Sequence, residues 1–224
     1  MDDPLANAAA RDNVLARVRH ALRRTGPDPN RAAAAVAYVA RHVHGPRSAM
    51  PADLAARFVE RAQDMSSTLE CVAHRRAIPA AVRRYVDALR IEGADRAGVC
   101  WPEFADLDWA GAGLQIECRP TSGGDRLGIT GAWCAIAETG TVVVLSGADT
   151  PTGTTLLPDT HIAVVPATRL VSGMEEMFAL LRAERGRLPR AINMISGPSR
   201  TGDIEQTIVL GAHGPFRVHI LLLG

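Results

Sequence analysis

The sequence has 224 residues, of which 47% are hydrophobic, and 25 basic residues against 24 acidic ones give a formal net charge of +1. This length fits one sizeable core with a helical extension, and the charge balance excludes the clustered basic face that is typical of nucleic-acid-binding proteins. The chain contains no lysine, which excludes a Schiff-base or Walker A lysine, and its arginines favour planar recognition of carboxylate or phosphate groups.

Four helical patterns fill most of the first ninety residues. The first is predicted to begin at a cap formed by Asp12 or Asn13, and the second is an alanine-rich helix that follows Asn30. Pro51 and Pro79 open the third and fourth helices, at a position where a helix tolerates proline. The predicted apolar faces comprise Val14, Val18 and Leu22; Leu54, Phe58 and Ala62; and Val82, Tyr85, Val86 and Leu89.

Short apolar or alternating runs, each typical of a strand, begin with SSTLECVA and then dominate: AGVCW, LQIECR, AIAE, TVVVLS, HIAVVP, AINMIS and FRVHILLL. A helix interrupts them, because Ser172 and Glu175 form a capping box before an apolar periodic segment. Runs such as TVVVL are continuous rather than alternating, which indicates a sheet that is buried on both faces. The sequence therefore predicts an α/β fold.

The change of pattern predicts a helical N-terminal arm over residues 1–64 and an α/β domain over residues 65–224. The polar segment SGADTPTGTTLLPDT lies between two buried strands, and a loop of this length is usually functional or mobile. An amphipathic arm packs on its own domain more often than on a second copy, but a homo-oligomer formed through the arm stays open.

The four cysteines are too far apart in sequence for a C-x-x-C clip, so we expect neither a metal site nor an iron–sulfur cluster in this chain. Each lies in or beside an apolar run, which predicts small core residues at Cys71, Cys100, Cys118 and Cys134. The N-terminus lacks the features of a signal peptide, and the apolar runs are too short to span a bilayer. We therefore expect a cytoplasmic protein.

The first candidate site is the bend AIAETGT between two buried strands, comprising Glu138, Thr139, Gly140 and Thr141. A glycine there lets the backbone turn tightly and approach a ligand. An apolar environment suits the carboxyl group of Glu138 to proton transfer or nucleophilic attack. The alternative is that Glu138 pairs with an arginine and that Thr139–Thr141 is only a hairpin turn.

The second candidate is the turn ISGPSRTGD, which lies between a strand and the helix-like run IEQTIVL. Backbone N–H groups at such a turn hold anions, and hydroxyl groups and an arginine add further bonds. The alternative is that the acidic residues Asp203 and Glu205 only cap the helix. The ligand-binding residues predicted here are Ser196, Gly197, Ser199, Arg200, Thr201 and Asp203.

The third candidate is the turn LGAHGP, in which Gly211 fits a helix C-cap. His213 is a candidate acid–base group, although a lone histidine in a turn is more often structural. His161, which opens the strand HIAVV, carries the same ambiguity.

The segments GITGA, AIAETGT, LPDTHIAVV and ISGPSRTGDIEQTIVLGAHGP occur in one order over residues 128–224. Together they resemble the lactate utilization protein C group of the LUD-domain family. The residues that carry the resemblance are Glu138, Thr139 and Gly140; Ser196, Gly197, Pro198, Ser199, Asp203 and Glu205; and His213, Gly214 and Pro215. One departure is Trp133, which stands near a position that is often acidic in the family, so a ligand contact there is lost or replaced.

The resemblance implies a Rossmann-like α/β sandwich of the ribose-phosphate isomerase, glucosamine-phosphate deaminase and CoA-transferase type. It also implies a role in oxidising L-lactate to pyruvate, with the iron–sulfur clusters in partner subunits. The turn from Ser199 to Asp203 adds the expectation that this chain binds a small anionic metabolite or cofactor. Whether this chain is itself an enzyme stays open. The alternative function is a free-standing isomerase or acyl/CoA-transfer enzyme that uses Glu138, an analogy at the level of the fold.

Overall fold

The computed structural model describes residues 4–23, 26, 28–201 and 209–224. These residues form five α-helices: α1 (Pro4–Ala21), α2 (Pro29–Ala40), α3 (Leu54–Asp64), α4 (Ile78–Ala88) and α5 (Met174–Glu184). They also form twelve strands: β1 (Thr68–Val72), β2 (Ala97–Cys100), β3 (Gln115–Cys118), β4 (Leu127–Gly131), β5 (Cys134–Ile136), β6 (Thr141–Leu145), β7 (Thr160–Pro166), β8 (Leu170–Val171), β9 (Ile192–Ile195), β10 (Arg200–Thr201), β11 (Val209–Leu210) and β12 (Arg217–Leu223). The predicted α/β fold is confirmed.

The chain divides into two compact units, Met1–Arg47 and Ser48–Gly224. The first contains α1, which begins well before the predicted cap at Asp12 or Asn13, and α2, whose N-cap is Asp28. The carboxylate of Asp28 accepts hydrogen bonds from the two backbone N–H groups at Asn30 and Arg31, which would otherwise lack a helical partner. The capping aspartate therefore precedes the asparagine that the sequence suggested.

A six-stranded sheet forms the centre of the second unit, in the order β1-β12-β7-β4-β2-β3, and all its neighbouring strands run parallel. From β2 the chain goes to β3 at one edge, then returns to β4 on the other side of β2 and continues outward to β7 and β12. The order therefore reverses between β2 and β4. In open α/β sheets such a switch point, at the carboxyl ends of the strands, opens a crevice where ligands bind.

A second sheet, in the order β8-β5-β6-β9, provides the other layer. Alternate side chains of its central strands serve two cores, since successive residues of a strand point to opposite faces. Ala135, Val142 and Val144 join the main core, in which Phe58 of α3 is fully buried. On the other face, Cys134, Ile136, Val143 and Leu145 pack with Met177 and Leu181 of α5.

Helices α3 and α4 pack in the main core through one apolar face each. Phe58 and Ala62 of α3 and Val82 and Val86 of α4 are fully buried, as their spacing predicts. Helix α3 thus packs within the unit that begins at Ser48, whereas the sequence had grouped it with the arm.

Several local predictions differ from the structure. Strand β4 was not predicted, because two of the five residues in LGITG are glycines, which are uncommon inside strands. Of the predicted helix-like run IEQTIVL, the last two residues form β11, which pairs with β10, and the rest of the run lies outside the described residues. The N-cap of α5 is Gly173 rather than Ser172.

The cysteine prediction is correct for two residues and wrong for two. Cys100 and Cys134 are buried, whereas Cys71 and Cys118 are exposed. The exposed pair lie on β1 and β3, the two edge strands of the parallel sheet, where an apolar run does not guarantee burial. Within the described ranges, none of the helices has the length and apolar character needed to cross a bilayer.

Candidate functional site

A cavity of about 450 Å³ opens at the switch point of the parallel sheet. Trp101 and Glu103, which follow β2, line one side, and Gly131 at the end of β4 lies beside them. The loop after β6 and the segment between α5 and β9, which contributes Arg185 and Arg187, also line the cavity. We call this space the switch-point cavity, and its position is the one where an α/β sheet is expected to bind a ligand.

Glu103 is the carboxyl group best placed to act in this cavity. Glu103 as a whole is an exposed residue, but partial burial of its carboxyl group raises its pKa, against the lowering effects of the Gly131 backbone and of Arg75. A Cβ on Gly131 would lie 2.0 Å from the Glu103 carboxylate, so the glycine is what allows the carboxylate to approach the end of β4. The guanidinium of Arg75 donates to the backbone carbonyl of Glu103 and to Asp106, which fixes the segment carrying the carboxylate.

Trp133 forms a wall of the cavity, and two charged residues hold it in place. Its indole Nε1 donates to Oε2 of Glu184 at 3.0 Å, and its carbonyl accepts from Nε of Arg169 at 2.8 Å. Arg169 and Glu184 are joined by two further hydrogen bonds of 2.6 and 2.9 Å. The bonds from Arg169 are the main reason why the pKa of Glu184 falls to about 2. Trp133 is therefore a fixed part of the cavity wall.

The lining of the cavity includes charged residues of both signs. Arg185 and Arg187 line it together with the acidic residues Glu103 and Asp149. Arginine recognises carboxylate and phosphate through paired hydrogen bonds, while a carboxyl group of raised pKa can exchange a proton with a bound ligand. Across the described ranges, no cluster of three or more His, Cys, Asp or Glu side chains could hold a metal ion.

The two predicted glycine turns meet, because β6 and β9 are antiparallel neighbours. The hydroxyl groups of Thr139 and Thr141 are 2.6 Å apart, and that of Thr141 lies 2.8 Å from that of Ser196. Gly140 and Gly197, both with positive φ, press against the backbone of α3 and of the Met65 that follows it. These turns thus pack closely on a helix, and Thr139 is exposed while Glu138 is partly buried.

The remaining predicted residues lie around the hairpin of β10 and β11. The Ser199 hydroxyl accepts from the backbone N–H of His213 at 3.3 Å, and Arg200 donates to the hydroxyl of Ser66. Thr201 pairs with Val209 in the hairpin. His213 lines a second cavity, of about 730 Å³. Ser199 contacts this lining through His213 but is not among the lining residues, and neither is Glu138. Asp203 and Glu205 lie outside the described residues.

His161 is a core residue rather than a site residue. It is fully buried on β7, where its Nε2 lies 2.8 Å from the hydroxyl of Thr130. Burial lowers its pKa to about 4, so the ring is neutral near pH 7. Of the two roles that the sequence left open for His161, the structural one is therefore correct.

Sequence reasoning missed Glu103, Arg185 and Arg187. One signal was available for Glu103, since it follows the strand AGVCW by two residues, at the end where parallel strands place functional groups. The arginines carry no such signal. The long loop after β6 was predicted to be functional or mobile, and it lines both cavities.

Comparison with known proteins identifies a family for this chain and a solved structure with a similar fold. The family model of the LUD domain matches residues 102–223, more than half of the chain. The chain belongs to the LUD-domain family. The matched range of this LUD domain includes the switch-point residues Glu103 and Gly131 as well as both predicted glycine turns.

Among relatives, the chain is similar to lactate utilization protein C of Halalkalibacterium halodurans, with 42% identity over 46% of this chain and 50% of that protein. The Bacillus subtilis protein of the same name is 39% identical over 44% of this chain and 42% of its own length. The chain thus spans about half the length of these relatives. A DUF162 family protein from Deinococcus radiodurans has a similar fold, with a TM-score of 0.55 and 23% identity, covering 80% of this chain and all of that one.

Proposed function

We propose that this LUD-domain protein acts in L-lactate utilization, as a subunit without clusters of its own that works with iron–sulfur partner subunits. The proposal rests on family membership and on relatives that are named for lactate utilization. In this proposal the partners carry the electrons as lactate becomes pyruvate, and the protein acts in the cytoplasm. Deleting the gene should then abolish growth on L-lactate while growth on pyruvate continues; unchanged growth on lactate would contradict the assignment.

The proposed contribution of this chain is to bind an anionic ligand in the switch-point cavity. The observation that carries it is the placement of Arg185 and Arg187 in the same cavity as Glu103, at the reversal of the parallel sheet. A cavity of about 450 Å³ is much larger than a three-carbon acid and falls in the range that holds cofactor-sized molecules. Sugar phosphates and coenzyme A are therefore tested beside lactate and pyruvate.

The test is calorimetric binding of these four ligands to the whole chain and to Arg187→Ala. A hydrogen bond to a charged group contributes about 1.5–3 kcal/mol, so losing this guanidinium should weaken binding roughly ten- to a hundred-fold. Arg182→Ala is the matched control, because Arg182 is an exposed arginine of α5 that does not line the cavity. Equal affinities for the two variants, or no binding of any of the four ligands, would overturn this part of the proposal.

The alternative function, a free-standing isomerase or an acyl/CoA-transfer enzyme, uses Glu138 as base or nucleophile. We favour the first function because Glu138 does not line the switch-point cavity or the cavity beside His213. Glu138→Gln distinguishes the two, since it should abolish turnover of a sugar phosphate or an acyl-CoA under the alternative and leave ligand binding unchanged under the first.

A further inference from the structure

Two cysteines lie side by side at the edge of the parallel sheet. Cys100 ends β2 and Cys118 ends β3, and the two residues are direct partners in the register of these strands. Partners in neighbouring strands point to the same face of a sheet, and the strands are about 4.8 Å apart. This separation lies within the range of Cα distances, about 4.4–6.8 Å, that a disulfide bridges without movement of the backbone.

The two thiols differ in access. Cys118 is exposed on the edge strand, whereas Cys100 is buried beneath it. Burial, followed by the charge of Cys118 and a hydrogen bond with it, raises the pKa of Cys100 to about 12. An oxidant in solution therefore meets the sulfur of Cys118 first, and the sulfur of Cys100 is the group in contact with the oxidised product.

We propose that Cys100 and Cys118 form a reversible oxidation site, in which a hydroperoxide converts the two thiols to one intramolecular disulfide. The sulfur of Cys118 first attacks the peroxide, whose O–O bond breaks, giving a sulfenic acid and releasing an alcohol or water. The sulfur of Cys100 then attacks that of Cys118, the S–O bond breaks, and water leaves with the proton of the Cys100 thiol. In all, the thiols lose two electrons and two protons to the peroxide.

The position of the pair links it to the switch-point cavity. Trp101 directly follows Cys100, lines the cavity, and donates its backbone N–H to the carbonyl of Ile129 on β4. A disulfide at the end of β2 and β3 would therefore fix the strand end from which one wall of the cavity begins. The oxidation site itself does not depend on which ligand the cavity binds.

The test treats the whole folded chain with hydrogen peroxide, blocks the remaining thiols, and maps linked peptides by mass spectrometry without reduction. The expected result is one linkage, between Cys100 and Cys118, which dithiothreitol reverses and Cys118→Ser abolishes. Because Cys118 is exposed, this variant leaves the core unchanged. Cys71→Ser is the matched control, since Cys71 is also exposed on an edge strand of the same sheet but has Leu222 as its registered partner. It should retain the linkage.

Two results would overturn the proposal. One is recovery of Cys118 as sulfinic or sulfonic acid while Cys100 stays a free thiol, because a resolving thiol in contact would prevent this over-oxidation. The other is that no Cys100–Cys118 linkage forms and the disulfide recovered joins two copies of the chain and is removed by Cys71→Ser.

Discussion

A substitution at Gly140 tests whether the AIAETGT bend serves to pack against α3 or to bind a ligand. Its φ of +65° is in the left-handed region, and a Cβ there would lie 2.3 Å from the backbone N of Ala62 and 2.4 Å from the carbonyl carbon of Arg61. Both are backbone atoms of α3, so no side-chain rotation can relieve the contact. Phe58 and Ala62 anchor this helix in the core. The structure therefore predicts that Gly140→Ala destabilises the fold.

The magnitude has two parts. A residue other than glycine in the left-handed region costs about 1–2 kcal/mol, and forcing an extra methyl group into packed structure costs about 1–3 kcal/mol. The free energy of unfolding should thus fall by about 2–5 kcal/mol. Gly93→Ala isolates the first part, because Gly93 has a similar φ of +58° but no heavy atom within 4 Å of the added carbon.

Urea unfolding of the whole chain, followed by far-ultraviolet circular dichroism, measures both variants. We expect the Gly93→Ala midpoint to fall slightly and the Gly140→Ala midpoint to fall much further. Equal losses in the two variants would refute the packing argument. A Gly140→Ala protein of normal stability that no longer binds its ligand would instead assign the bend to ligand binding.

Two further predictions concern buried polar groups. Burial lowers the pKa of His161 and His219 from 6.5 to about 4. As the pH falls below about 6.5, these histidines take up protons in the unfolded chain but not yet in the folded one. The stability that is complete above about pH 6.5 should therefore be lost towards pH 4, by up to about 1.4 kcal/mol per pH unit for each histidine. His219→Gln should flatten the pH profile of the urea midpoint, whereas the exposed control His74→Gln should not; parallel profiles would contradict this. Thr141→Val removes the hydroxyl bonded to Thr139 and Ser196 and should lower the free energy of unfolding by about 1–2 kcal/mol in the same urea assay, while Thr139→Val, at an exposed position, should have less effect.

Much of the fold follows from local pattern. Apolar spacing predicted α3 and α4, because burial of one helix face requires apolar residues at regular intervals. Apolar runs predicted β6, β7 and β12, because a strand that is buried on both faces is apolar along most of its length. Strand β4 escaped, since two of its five residues are glycines that have no side chain to record burial. The glycine turns were located correctly, but their close contact with α3 was not foreseen.

The sequence by itself determined the α/β class, most of the strands, and the motifs that mark the LUD domain, because each of these depends on residues that are close together in the chain. Only the tertiary structure decided that Glu103 and Arg187 share a cavity and that Cys100 lies beside Cys118. The cysteine pair is set by the register of the parallel strands β2 and β3. The cavity forms where the segment after α5 meets the strand ends of the parallel sheet. Local periodicity carries no information about which strand becomes the neighbour of which, so the site emerged only when the sheet was assembled.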